Sequence, residues 1–160
     1  MTTDSSARAF ALLKARGEHV CFAESLTGGL IAAAFIENAG ASAVIDESYV
    51  TYAPAAKIRI LGVTRETVDT VGVVSAECAR EMALGARRIS KADWGVSATG
   101  LAGPDGGSEV TPVGTVFIGV SGASGTWAFE FHFENMDRMQ VREAAVNAAF
   151  KKLIERMENE

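Results

Sequence analysis

The chain has 160 residues, 48% of them hydrophobic and 22% charged, which is ordinary globular composition and enough to bury a core without staples. A net charge of −5, with only isolated basic pairs at Arg87-Arg88 and Lys151-Lys152, argues against a nucleic-acid partner. Cys21 and Cys78 lie in apolar and helical patterns, and His19 and His132 have no ligand-spaced neighbour, so neither a disulfide nor a metal site is expected. The polar start Met1-Thr2-Thr3-Asp4-Ser5 lacks a leader pattern. No run approaches the roughly 18 apolar residues of a membrane span. A cytoplasmic, soluble chain with no membrane partner is the expectation.

In chain order, Asp4 or Ser5 caps a first helix over 7–15, which Gly17 ends. A strand follows over 19–23 and a helix over 29–37, then a turn at 38–42. Another short element is expected at 43–45, and Ser48-Tyr49-Val50-Thr51-Tyr52 is rich in strand formers. Pro54 stops that strand and opens a short helix to Leu61, closed by Gly62. Thr64 caps a further turn of helix, and Ser75 caps a strong one whose Ala79, Met82 and Ala86 give a small-residue face. A strand over 94–98 leads into a loop over 99–111 that carries four glycines and Pro104. Two strands, 114–120 and 126–133, read as a hairpin, and a long helix over 138–157 closes the chain. Early helix–strand alternation with a late hairpin predicts one three-layer α/β/α domain over 1–160, a mixed sheet covered by helices on both faces.

Four stretches carry candidate chemistry. Ala23-Glu24-Ser25-Leu26-Thr27-Gly28-Gly29 puts a serine between a strand and a helix start, where two glycines permit tight backbone and unpaired N–H groups favour an anion. A serine there is either a plain helix cap or a nucleophile. The loop Thr99-Gly100-Leu101-Ala102-Gly103-Pro104-Asp105-Gly106-Gly107-Ser108 leaves a strand end, where open α/β sheets place ligands, and its backbone suits an anion nest. No Gly-Lys-Ser/Thr follows it, so it is no P-loop.

Lys57 lies among small and apolar residues. It is either a solvated surface lysine or a desolvated base for Ser25, in a Ser/Lys variant of the serine-hydrolase logic with the Tyr52 hydroxyl on the proton path. Arg138 and Arg142, behind Asp137, share a helix face and suit phosphate recognition or simple solvation.

Taken together, these stretches resemble the CinA C-terminal domain family, the nicotinamide-nucleotide amidases. The resemblance runs through Ala23-Glu24-Ser25-x-Thr27-Gly28-Gly29, Val50-Thr51-Tyr52-x-x-x-Ala56-Lys57, Leu61-Gly62-Val63 and Gly72-x-Val74-Ser75. It continues through Glu81-Met82-Ala83-x-Gly85-Ala86, Thr99-Gly100-x-Ala102-Gly103-Pro104-Asp105-Gly106-Gly107, Pro112-Val113-Gly114-Thr115-Val116 and Asp137-Arg138-x-x-x-Arg142. It implies hydrolysis of the carboxamide of nicotinamide mononucleotide (NMN) to nicotinate mononucleotide and ammonia, with Ser25 and Lys57 as a dyad and no metal or cofactor. It also implies the family's stand-alone form.

Thr27, Gly28 and Gly29 would hold the oxyanion. The phosphate would fall to Thr99, Gly100, Gly103, Asp105, Gly106 and Gly107, or to Arg138 and Arg142. Small-residue helix faces suit a homo-oligomer. Two departures from the family pattern stand out: Leu26 where a small Cys is common, and Ala53-Pro54-Ala55 where Ser-Asn-Glu is usual. They motivate a second reading, a catalytically impaired nucleotide-binding or regulatory protein.

Overall fold

A computed structural model describes residues 3–160; the polar Met1-Thr2 start lies outside the described residues. Six helices and five strands follow one another as α1 (Asp4–Arg16), β1 (Val20–Glu24), α2 (Leu30–Ile36), β2 (Ile45–Val50), α3 (Pro54–Leu61) and α4 (Arg65–Thr70), then α5 (Ala76–Ser90), β3 (Trp94–Gly100), β4 (Thr115–Gly122), β5 (Gly125–His132) and α6 (Arg138–Glu158), with a single 3-10 turn (Ala41–Ala43) before β2. The strands form one sheet in the order β2-β1-β3-β4-β5. β1 is parallel to β2 and β3, whereas β4 is antiparallel to β3 and β5. The mixed sheet of the sequence expectation is therefore present.

Side-chain alternation along β1 separates the two helical layers. Val20 and Phe22 join the core under α1, α2 and α6, while Cys21 and Ala23 join a smaller one with Leu61, Val63, Cys78, Met82 and Ala86 from the α3 and α5 side. Phe22, Phe35 and Phe150 cluster in the first core, with ring centroids 5.4 Å apart for Phe22–Phe35 and 6.0 Å for Phe22–Phe150. The second layer sits close because its contacts are glycine and alanine. A Cβ on Gly119 would lie 2.2 Å from the Ala79 carbonyl, and one on Gly95 2.1 Å from that of Ala83.

Several boundaries differ from the sequence expectation for local reasons. α1 starts at Asp4 because the Thr3 side chain, not Asp4 or Ser5, accepts from the Ser6 N–H. β2 lies earlier than expected and stops at Val50, since Thr51 and Tyr52 turn out toward α3. β3 runs on to Gly100, with Thr99 and Gly100 paired to Phe117 and Val116, so the long loop spans 101–114 rather than 99–111. The hairpin β4–β5 turns through Ala123 and Ser124 alone. Asp137 caps α6 in a reciprocal box with Gln140.

The order of the strands matters for function. From β1 the chain steps to β2 on one side and later to β3 on the other, so the crevice beyond the carboxyl ends of β1 and β3 is a topological switch point. Ser25 is the first residue past β1, and its N–H donates to the Ala98 carbonyl of β3 at 3.0 Å.

Candidate active site

The site is assembled from strand ends. Past β1, residues Ser25 to Gly29 make a tight turn into α2, with Gly28 at φ 58° and Gly29 at φ 100°. Past β2, the Thr51 N–H donates to the Glu24 carbonyl at 2.9 Å, which ties the start of the α3 segment to the turn that carries Ser25. Pro54 then begins α3, whose buried residues are Lys57 and Leu61, four apart on one face. Lys57 thus occupies a position that an apolar residue would normally take, and it is fully buried.

Its ammonium nitrogen has three neighbours. Lys57 Nζ is 2.8 Å from Ser25 Oγ, 2.6 Å from the Thr51 carbonyl and 3.1 Å from the Tyr52 carbonyl. Burial pushes the Lys57 pKa below its usual 10.5, against an opposing effect of the nearby Cys78. The chemistry of the neighbours then fixes roles. A carbonyl oxygen only accepts, so in neutral Lys57 both N–H bonds go to Thr51 and Tyr52, and the remaining lone pair faces the Ser25 hydroxyl.

Glu24, to which the sequence reading gave no role, is the second buried charge. Its carboxylate, wholly buried, accepts from the N–H groups of Gly29 at 3.0 Å, Ile31 at 3.0 Å and Ala32 at 2.9 Å. It shares the side of β1 occupied by Val20 and Phe22, directly under the start of α2. That alternation was a signal available in the sequence. The consequence is a correction: the α2 N-terminus is already filled by a carboxylate, so Gly29 has no free N–H for an anion. Gly28 is also committed, because its N–H turns back to the Ser25 carbonyl at 3.1 Å. Among the described residues, the N–H groups of Leu26 and Thr27 remain without a hydrogen-bond acceptor. The Thr27 and Thr51 hydroxyls are buried and unpartnered as well.

Other expected residues are placed differently from the expectation. The Tyr52 hydroxyl is turned to Arg138 and not to Lys57: the residue is 63% exposed and its oxygen pairs with Arg138 Nη2 at 3.3 Å, while its carbonyl is the group that meets Lys57. Arg138 Nη1 donates to the Gly103 carbonyl at 2.6 Å, so Arg138 joins the long loop to the α3 segment. Arg142 Nε donates to the Leu26 carbonyl at 2.8 Å and Nη2 to that of Thr27 at 3.2 Å. Thr99 is buried and its hydroxyl donates to the Val73 carbonyl. Gly100 is needed for strand contact, since a Cβ there would lie 2.6 Å from the Thr115 carbonyl. Asp105, Gly106 and Gly107 line a shallow exposed hollow of about 500 Å³ with Pro104, Pro112 and Val113, and no hydrogen bond brings them to Ser25.

The two departures have small consequences. The Leu26 side chain is 4% exposed and belongs to the core, so it does not narrow the space before Ser25. Ala53, Pro54 and Ala55 are exposed at the start of α3, and Lys57 is oriented by main-chain carbonyls that no side-chain change there removes.

A three-layer α/β domain with a serine at the switch point and a buried lysine against it defines the structural class. The sequence model of the CinA C-terminal domain matches residues 2–157, and the chain belongs to that family. It is 51% identical over 115 residues to the nicotinamide-nucleotide amidohydrolase PncC of Enterobacter agglomerans, covering 72% of this chain and 70% of that protein. A CinA-like protein of Anaeromyxobacter is 48% identical over 143 residues, 89% of this chain but 35% of that protein. The chain thus spans about a third of the length of the CinA-like relatives it matches. Among solved structures, the competence/damage inducible protein CihA of Agrobacterium tumefaciens superimposes with a TM-score of 0.93 at 39% identity, over 97% of both chains. A CinA superfamily protein of Klebsiella pneumoniae gives 0.93 at 33% identity over 98% of each. No helix among the described residues is long and apolar enough to cross a membrane.

Proposed function

We propose that the chain is an amidohydrolase that converts NMN to nicotinate mononucleotide and ammonia, with Ser25 as nucleophile and Lys57 as base. The observation that carries this reading is the partner set of a buried Lys57: two main-chain acceptors take two N–H bonds of Nζ, and its third position meets Ser25 Oγ at 2.8 Å, where the neutral amine presents its lone pair and the ammonium its third N–H. A lysine held only to cap carbonyls has no need of a serine at the end of β1. The PncC name of the relative at 51% identity supports the same chemistry and supplies the substrate.

The reaction follows from the geometry. Neutral Lys57 takes the Ser25 proton as Oγ attacks the carboxamide carbon, and the carbonyl oxygen becomes an oxyanion beside the free N–H groups of Leu26 and Thr27. Lys57, now an ammonium, returns the proton to the departing nitrogen, which leaves as ammonia. Water, deprotonated by the same amine, then cleaves the Ser25 ester and releases nicotinate mononucleotide. No step requires a metal or an organic cofactor. The exposed Arg138, with N–H groups beyond the two it donates to Gly103 and Tyr52, is the best-placed group for the phosphate.

Ammonia release from NMN by wild type, Ser25→Ala and Lys57→Ala proteins tests the reading. Release by the wild type, with both variants folded and at least about 10³-fold slower, is expected for a nucleophile–base pair. A folded wild type that binds NMN and releases no ammonia would replace it with the regulatory reading.

A further inference from the structure

Resting on the amide-hydrolysis reading, we propose that Arg142 is a positioning residue that aims the Leu26 and Thr27 N–H groups at the developing oxyanion, and is not a phosphate ligand. The turn after β1 has five N–H groups and the structure accounts for three of them: Ser25 donates to Ala98, Gly28 to Ser25 and Gly29 to Glu24. The two left over belong to the residues that follow the nucleophile. The residue after a nucleophilic serine is a recurrent source of oxyanion donors.

Arg142 reaches this turn from α6, 116 residues further along the chain, and takes hold of its carbonyl face. Adjacent donors of one guanidinium edge, Nε and Nη2, bind the successive carbonyls of Leu26 and Thr27 at 2.8 and 3.2 Å. The Leu26–Thr27 peptide is trans, so its carbonyl and the Thr27 N–H point in opposite directions. Holding the Leu26 oxygen on Arg142 therefore turns the Thr27 N–H away from α6 and fixes the peptide plane. The next plane, held through the Thr27 oxygen, carries the Gly28 N–H, and that N–H donates to the Ser25 oxygen, which sets the plane bearing the Leu26 N–H. A cation on the oxygen of a peptide also polarises the N–H of the same group.

Two further observations fit a clamp better than a ligand-binding arginine. The missing Cβ of Gly28 would stand 3.3 Å from Nη2, and Gly28 adopts φ 58°, so the glycine both makes the turn and clears space for the guanidinium. Arg142 Nη1 faces Met139 Sδ at 3.6 Å, which leaves few donors for a phosphate. Glu24 holds the same turn from the other end, through Gly29, Ile31 and Ala32. The loop is thus gripped on its carbonyl side by a cation and at its helix end by an anion, with only the Leu26 and Thr27 N–H groups open.

The experiment uses two substrates: NMN, and p-nitrophenyl acetate, an activated ester with neither phosphate nor pyridine. The p-nitrophenolate burst reports acylation of Ser25, confirmed by the mass of the intact protein. In Arg142→Gln the burst rate is expected to fall by about 10-fold or more, with a matching loss in kcat for NMN and little change in KM. A burst at the wild-type rate, with the loss confined to KM for NMN, would mark a phosphate ligand and overturn the proposal. Should Arg142→Gln not fold, Arg142→Lys decides: a lysine point charge serves a phosphate but cannot hold two carbonyls, so an unchanged burst and kcat in that variant overturn the clamp. A wild type that is acylated on Ser25 but leaves NMN intact would remove the substrate reading alone, and the burst rates would still judge Arg142. A wild type inert to both would overturn both.

Discussion

Ser25 and Lys57 are 32 residues apart in sequence and 2.8 Å apart at Oγ and Nζ, with Lys57 out of contact with solvent. Desolvation lowers the Lys57 pKa, so protons leave it below the usual 10.5. Because the base must be neutral, kcat/KM for NMN is expected to rise with pH through the folded-state pKa of Lys57 and level off above it. Stability moves in the same direction. Between the folded pKa and 10.5 the unfolded chain binds the extra proton, so ΔG of unfolding rises with pH across that window and is lowest below it. Thermal melting of wild type and Lys57→Met over this range checks the sign: the wild-type slope should exceed the variant's. Parallel slopes would mean that Lys57 titrates alike in both states.

Glu24 invites a direct test because it is a buried carboxylate facing three main-chain donors and no cationic side chain. An amide at this position offers one acceptor oxygen and turns an NH₂ toward helix N–H groups. Glu24→Gln is expected to cost about 2–3 kcal/mol, from charge-assisted hydrogen bonds and the helix dipole together. For a domain of this size that is a fall in Tm of roughly 5–10 °C. Activity should fall with it, since the same turn carries Ser25. A melting point unchanged in Glu24→Gln would show that the carboxylate is not what holds the start of α2.

The layers and the strand–helix order were legible because hydrophobic period and turn residues are local signals. Ser25 and Lys57 were legible as candidates for the same reason: one stands between a strand and two glycines, the other is a basic residue among small and apolar neighbours. What the sequence could not supply was acceptors. Main-chain carbonyls of Thr51, Tyr52, Leu26, Thr27 and Gly103 have no sequence signature, yet they engage Lys57, Arg142 and Arg138. An arginine pair four residues apart therefore read as one phosphate site or a solvated face, whereas the two differ: Arg142 is tied to the Leu26 and Thr27 carbonyls, and the exposed Arg138 keeps N–H groups beyond those on Gly103 and Tyr52. The glycine-rich helix start misled similarly. Its N–H groups are filled by Glu24 from the preceding strand, a long side chain whose reach depends on the strand's alternation.

Packing of α5 on α3 links the second layer to the site. Gly85 on α5 lies against the end of α3: a Cβ there would sit 1.9 Å from the Leu61 carbonyl oxygen and 2.8 Å from its carbon. Backbone cannot rotate aside as a side chain does, so Gly85→Ala must push α3 outward or shift α5. Overpacking of this kind costs about 1–3 kcal/mol. Lys57 sits one helical turn before Leu61 on the same buried face, so movement of α3 also lengthens the Nζ–Oγ contact with Ser25. The expected outcome is a coupled loss, a lower denaturation midpoint together with a kcat for NMN reduced several-fold at unchanged KM. Arg88→Ala, at an exposed position of the same helix, should stay within about 0.5 kcal/mol of wild type in stability and keep full activity. If Gly85→Ala lost stability while retaining full kcat, α3 would be holding Lys57 through its own carbonyl contacts, independently of how closely α5 packs.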